Sequence, residues 1–163
     1  MKNKRYLAIY GCVLIFFGLF WMFSKYFENN SASIWVDLRR ALGGDDFQIG
    51  GHQFVAPMGC FIDSEAEGEL ILGKFLCAVD SKKIAGVEIS KPPFNDVETT
   101  REYVEEYFDR GAYVQIKIGA RQGGEDFFLY YLKRQNLVIS SDYSELSMRF
   151  VKKLFEYDFR IND

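Results

Sequence analysis

The sequence predicts an α+β fold: an N-terminal transmembrane helix, then an antiparallel sheet with helices packed against it. Three observations carry this expectation. Tyr6 to Phe23 is an uncharged apolar run, and as a helix rising about 1.5 Å per residue it reaches about 27 Å, close to the hydrocarbon thickness of a bilayer. Beyond it, short apolar segments are separated by turn compositions, the pattern of antiparallel hairpins. Three further stretches carry apolar residues at helical spacing behind capping residues. The chain divides into a basic stub and anchor at 1–25, a tether at 26–33 and one domain at 34–163, enough for one core but hardly two.

Charge orients the anchor. Lys2, Lys4 and Arg5 precede it, whereas Lys25 and Glu28 follow. The positive-inside bias keeps the N-terminus in the cytoplasm and sends the domain to the periplasm, as in a single-pass protein of a bacterial inner membrane. A cleaved signal peptide, which would leave the domain secreted, shares the basic start. Its apolar core here ends in bulky Trp21-Met22-Phe23, and Asn30-Ser31-Ala32 is a late cleavage candidate. Lipid attachment at Cys12 is opposed by Tyr10 and by the apolar residues after the cysteine.

Of the 20 Lys and Arg residues, four fall within residues 1–25, where there is no Asp or Glu, so the remainder carries a net charge of −7. Such a surface repels phosphates, which disfavours nucleic acid and anionic headgroups and suits solubility or a basic protein partner. Of the three cysteines, Cys12 lies in the anchor. Cys60 and Cys77 form a pair that an oxidising compartment would bridge, with two buried free thiols as the alternative. A zinc site lacks ligands, since His52 is the single histidine.

Taken in order, Ser33 reads as the cap of a short helix with Trp35, Leu38 and Leu42 on one face and Gly43-Gly44 as its stop. Gly43 to Gly51 reads as a loop with Asp45-Asp46 at its tip, and Gln53 to Ala56 as a strand closed by Pro57 and Gly59. Cys60 to Ile62 is a short apolar segment before an acidic loop. Leu70 to Val79 and Lys83 to Ser90 form a hairpin around Asp80-Ser81-Lys82. Asn95 starts a helix whose face carries Tyr103, Val104, Tyr107 and Phe108, with Gly111 as its terminator. Tyr113 to Ile118 alternates as a strand, and Phe127 to Leu132 is a strand with large residues on both faces. Leu137 to Ile139 follows a tight turn. Asp142 then caps a helix with Leu146, Phe150, Val151, Leu154 and Phe155 as its buried stripe.

At Phe54-Val55-Ala56-Pro57-Met58-Gly59-Cys60 the chain resembles the opening of PsbP-like domains. The order of elements over residues 47–156 is similar to theirs. The resemblance implies an antiparallel sheet flanked by helices and a non-enzymatic binding or accessory module. It assigns no residue a role.

The candidate partner-binding residues are acidic. Asp63, Glu65, Glu67 and Glu69 alternate, so an extended backbone aims them one way; Asp45 and Asp46 add a second acidic tip. A solvated loop, a basic partner and a calcium ion all fit that composition, although the stretch lacks the offsets of a calcium loop. His52 after Gly50-Gly51 reads as a turn residue or an acid–base group. Serine and cysteine nucleophiles would all have to share that one histidine, and no Gly-x-Ser-x-Gly turn or phosphate loop is present. No catalytic, metal or cofactor site is therefore assigned. Phe127, Phe128, Tyr130 and Tyr131 read as core, or in part as an interface.

The expected function is a membrane-anchored, periplasmic protein-binding module, most concretely an immunity-type inhibitor that occludes a toxin acting in the cell envelope. The alternative is an accessory or structural subunit of a secretion or envelope assembly, with Gly11 and Gly18 letting the anchor pack closely.

Overall fold

The computed structural model describes residues 2–63, 70–92, 104–119 and 126–161. Helix α1 (Lys2–Asn29) runs into α2 (Ser31–Ala41) through Asn30. The Asn30 side-chain amide donates to the Tyr26 carbonyl at 2.9 Å and closes the first helix. Residues 26–33, read as a tether, are thus largely helical.

The expected membrane span must be corrected. Among the described residues no helix is long and apolar enough to cross a membrane. The single-pass inner-membrane topology, with its cytoplasmic N-terminus and periplasmic domain, falls with it. The large apolar side chains from Val13 to Phe27 are 44–72% exposed, so they contribute little to the core.

Helix α2 packs differently from its expected stripe. Ala32 and Val36 are its buried residues, while Leu38 and Leu42 are exposed. Small Ala32 allows the close approach at which its N–H donates to the Ser81 carbonyl at 3.0 Å. Trp35 meets Phe61 edge-on, with ring centroids 4.8 Å apart.

Two sheets follow. The smaller pairs β1 (Asp46–Ile49) with β2 (His52–Val55), so the stretch expected as a loop contains a strand. Gly50 and Gly51 both take positive φ, at 57° and 81°, as the two central positions of a type I′ hairpin turn require. The larger sheet comprises β3 (Cys60–Asp63), β4 (Ile71–Ala78), β5 (Ile84–Ser90), β6 (Val104–Asp109), β7 (Tyr113–Ile118), β8 (Phe127–Leu132) and β9 (Leu137–Ser141). Its spatial order is β3-β4-β5-β9-β8-β7-β6, and all neighbours are antiparallel. The α+β class with an antiparallel sheet is therefore as the sequence predicts.

Val104 to Asp109 is a strand and not the end of a helix. Tyr107 and Phe108 are adjacent, which suits either period, and pairing with Tyr113–Ile118 decides for the strand. Gly111 at φ 78° turns that hairpin, aided by the Asp109 carboxylate, which accepts the Gly111 N–H at 2.8 Å. The expected helix start at Asn95 lies outside the described residues.

Helix α3 (Ser144–Phe155) covers one face of the sheet with Leu146, Phe150, Val151 and Leu154, as its spacing predicts. Tyr143 occupies the capping position in place of Asp142, without a side-chain cap. The core joins this stripe to Phe75, Val87, Ile89, Tyr130, Leu132 and Ile139 from the sheet and to Phe47 and Phe54 from the small hairpin. Burial of some twenty such side chains is the dominant stabilising term. The last described residues seal the base: Tyr157 and Phe159 pack on Phe54, and the Ile161 N–H donates to the Gln135 carbonyl at 2.9 Å.

Candidate protein-binding face

Because side chains alternate along a strand, half of those on the large sheet point away from α3. Directly opposed residues in antiparallel strands share a face. The register therefore assembles one row across all seven strands: Asp63, Lys74, Glu88, Ser140, Leu129, Ile116 and Tyr107. The row begins with acid, base and acid, passes a hydroxyl, and ends in three large apolar or aromatic groups. A second row places Val138, Tyr131 and Val114 alongside, with Asp109 at its end.

The two ends of this face differ. At the β3 end, Trp35 of α2 lies on Phe61, and the charged residues border a shallow cavity of about 300 Å³ lined by Asp63, Lys74, Glu88 and Ser140 among others. At the β6 end, Ile116, Ile118 and Leu129 are half-buried, and Tyr107 is 60% exposed. None of these four belongs to the core cluster beneath α3.

The predicted acidic residues are partly brought together. The Ile62 N–H donates to the Gly44 carbonyl at 2.7 Å, so Asp45 and Asp63 each follow a bonded backbone pair at the β3 edge. Asp45 is also engaged by Arg40 at 3.7 Å, while Asp46 opens β1 and is exposed. Glu65, Glu67 and Glu69 lie outside the described residues. His52 is exposed on the small hairpin, its ring 5.2 Å from that of Phe159. Among the described residues, no group of three or more His, Cys, Asp or Glu could hold a metal ion.

Sequence reading missed Lys74, Glu88, Ser140 and Leu129 as members of one face. The alternation of Val114, Ile116 and Ile118 was visible, but the other residues join them only through strand register. Phe127 to Tyr131 is resolved by the same register: Phe128 and Tyr130 turn to the core side, Phe127 and Tyr131 to the opposite face. Burial raises the Tyr130 phenol above its ordinary pKa, against the opposing effect of its 2.7 Å hydrogen bond with Ser144.

Elsewhere, Cys60 and Cys77 are bonded, as one of the two sequence alternatives has it. Both are fully buried. The bridge therefore fixes β3 to β4 at the charged end of the face and is closed to chemistry with a partner. No protein-family model, no curated protein and no solved structure matches the chain.

Proposed function

We propose that the domain is a non-enzymatic protein-binding module and that the sheet face opposite α3 is its contact surface. One observation carries this reading: Leu129, Ile116 and Tyr107 form an apolar row outside the core, continuous with the charged row Asp63–Lys74–Glu88. An apolar centre beside a polar, charged margin is the anatomy of a protein interface. The acidic balance beyond residue 25 favours a basic partner and faster association with it. In its most concrete form the module is an inhibitor that occludes a basic toxin. The Cys60–Cys77 bridge supports folding in an oxidising compartment.

The test compares the full-length protein with a Tyr107→Ala/Ile116→Thr variant, first shown to unfold at a similar temperature. Both are immobilised against an extract of the native cells at low and then high salt. The reading expects a stoichiometric basic protein that the wild type retains and salt releases, and that the variant fails to retain. Equal retention by the variant, or no salt-sensitive partner, overturns it.

A further inference from the structure

We propose that α1 pairs lengthwise with α1 of a second copy of the chain, through a seam of aromatic side chains. Val13, Phe16, Phe20, Phe23 and Phe27 follow one another at alternating steps of three and four residues. That spacing keeps all five on one side of a helix, as the apolar positions of a two-helix seam require. All five are 44–68% exposed, so the chain itself leaves the seam uncovered. The charged residues among the described α1 side chains, Lys25 and Glu28, pair with each other at 2.8 Å. At about 100° of rotation per residue both lie on the far side of the helix from the seam. Lys25, and then Lys82 of the β4–β5 turn, hold the Glu28 carboxyl below its usual range. The Glu28 side of α1 is therefore the side toward the domain, and the seam faces away from it.

The size and the symmetry of the seam select its occupant. Phe16, Phe17, Phe20, Phe23, Tyr26 and Phe27, on the seam or beside it, are each more than half exposed. At about 200 Å² for a whole aromatic side chain they offer about 750 Å², close to the roughly 800 Å² that each partner gives to a stable interface. Apolar patches of that size are rare on a monomer. A second α1 presents the same steps of three and four, so each ring of one helix finds a gap of matching spacing on the other. The same patch then serves on both sides of a two-fold axis, and the charges, turned away, do not oppose one another across it. The seam shares no residue with the proposed sheet face, so the two proposals stand or fall separately.

The experiment measures the mass of the full-length protein by light scattering, from low to high micromolar concentration in buffer without detergent. Wild type is compared with a seam variant, Phe16→Glu/Phe23→Glu, and a flank variant, Leu14→Glu/Trp21→Glu. Both variants add the same charge and remove exposed apolar side chains of α1, but Leu14 and Trp21 lie on the Glu28 side. None of the four residues belongs to the core cluster, and the three proteins are first shown to unfold at a similar temperature. The inference expects two chains for wild type and for the flank variant. It expects one chain for the seam variant, its association weakened at least about a hundredfold by the loss of two central aromatic anchors. A wild-type mass of one chain, or one that keeps growing with concentration, overturns it. Equal dissociation of both variants also overturns it, as apolar association without a seam. A single chain that floats with phosphatidylcholine vesicles assigns the exposed helix to a lipid surface and overturns it as well.

Discussion

Cys60 and Cys77 sit directly opposite each other in the β3–β4 register, their Cα atoms 4.0 Å apart and their sulfurs joined. The bridge reinforces a pair of strands that already hydrogen-bond, at the sheet edge where β3 is only four residues long. It also leaves Cys12 as the remaining cysteine of the chain's three.

Thiol counting and unfolding check this together. Unreduced, denatured protein should show one reactive thiol, and reduced protein three. Cys60→Ser/Cys77→Ser should lose about 3 kcal/mol, the loop-closure value for a separation of this size. Three thiols without reductant would refute the pairing.

The turn Gly50-Gly51 separates conformational strain from collision. Both residues have positive φ, so alanine at either costs about 1 kcal/mol. At Gly50 a Cβ would also meet Ile161 Cδ1 at 2.6 Å, whereas at Gly51 nothing lies within 4 Å. The atom met is the far end of the Ile161 side chain, and because Ile161 is buried it can shift only by repacking against its neighbours. Urea unfolding should therefore place Gly50→Ala about 1 kcal/mol below Gly51→Ala. Only Gly50→Ala should speed exchange of the Ile161 amide. Coincident midpoints would show that the terminal segment yields freely.

Two hairpins should weaken in acid. The Lys133 ammonium, then the Gly111 N–H, holds the Asp109 carboxyl below its usual range, and the Lys82 and Lys83 amides do the same for Asp80. A carboxyl with a depressed folded pKa stabilises above its unfolded value, about 3.9, and loses that contribution as pH falls through the folded one. The melting temperature of wild type should thus fall below about pH 4, and Asp80→Asn/Asp109→Asn should flatten that limb. A variant limb as steep as wild type would assign the acid sensitivity elsewhere.

What was legible in the sequence was local. The helix α3 stripe at Leu146, Phe150 and Leu154 and the hairpin around Asp80 follow from short-range periodicity and turn chemistry. Failures came where a distant partner decides. Asp46–Ile49 became a strand by pairing with His52–Val55, and Val104–Asp109 did so by pairing with β7. The candidate face is the extreme case, because its row joins residues from position 63 to position 140. No window of sequence contains that register. The acidic residues were visible as a composition, yet Asp45 is spent partly on Arg40, which no spacing revealed.

Arg40 itself supplies the last prediction. Its guanidinium donates to the Pro57 carbonyl at 2.7 Å and the Cys60 carbonyl at 3.1 Å, and approaches Asp45 at 3.7 Å. One side chain from α2 thereby holds the turn entering β3 and the strand that carries the bridge. The half-exposed ion pair with Asp45 is worth little because water screens it. The carbonyl bonds matter more, since a charged donor bonds more strongly than a neutral one; without Arg40 the Pro57 carbonyl keeps the Cys60 N–H at 3.0 Å, while the Cys60 carbonyl loses its guanidinium donor. Arg40→Ala should therefore cost about 2 kcal/mol, nearly independent of salt, and Asp45→Asn well under 1 kcal/mol. If Asp45→Asn instead costs as much as Arg40→Ala, and high salt abolishes both losses, the ion pair is the holding contact and the carbonyl bonds are incidental.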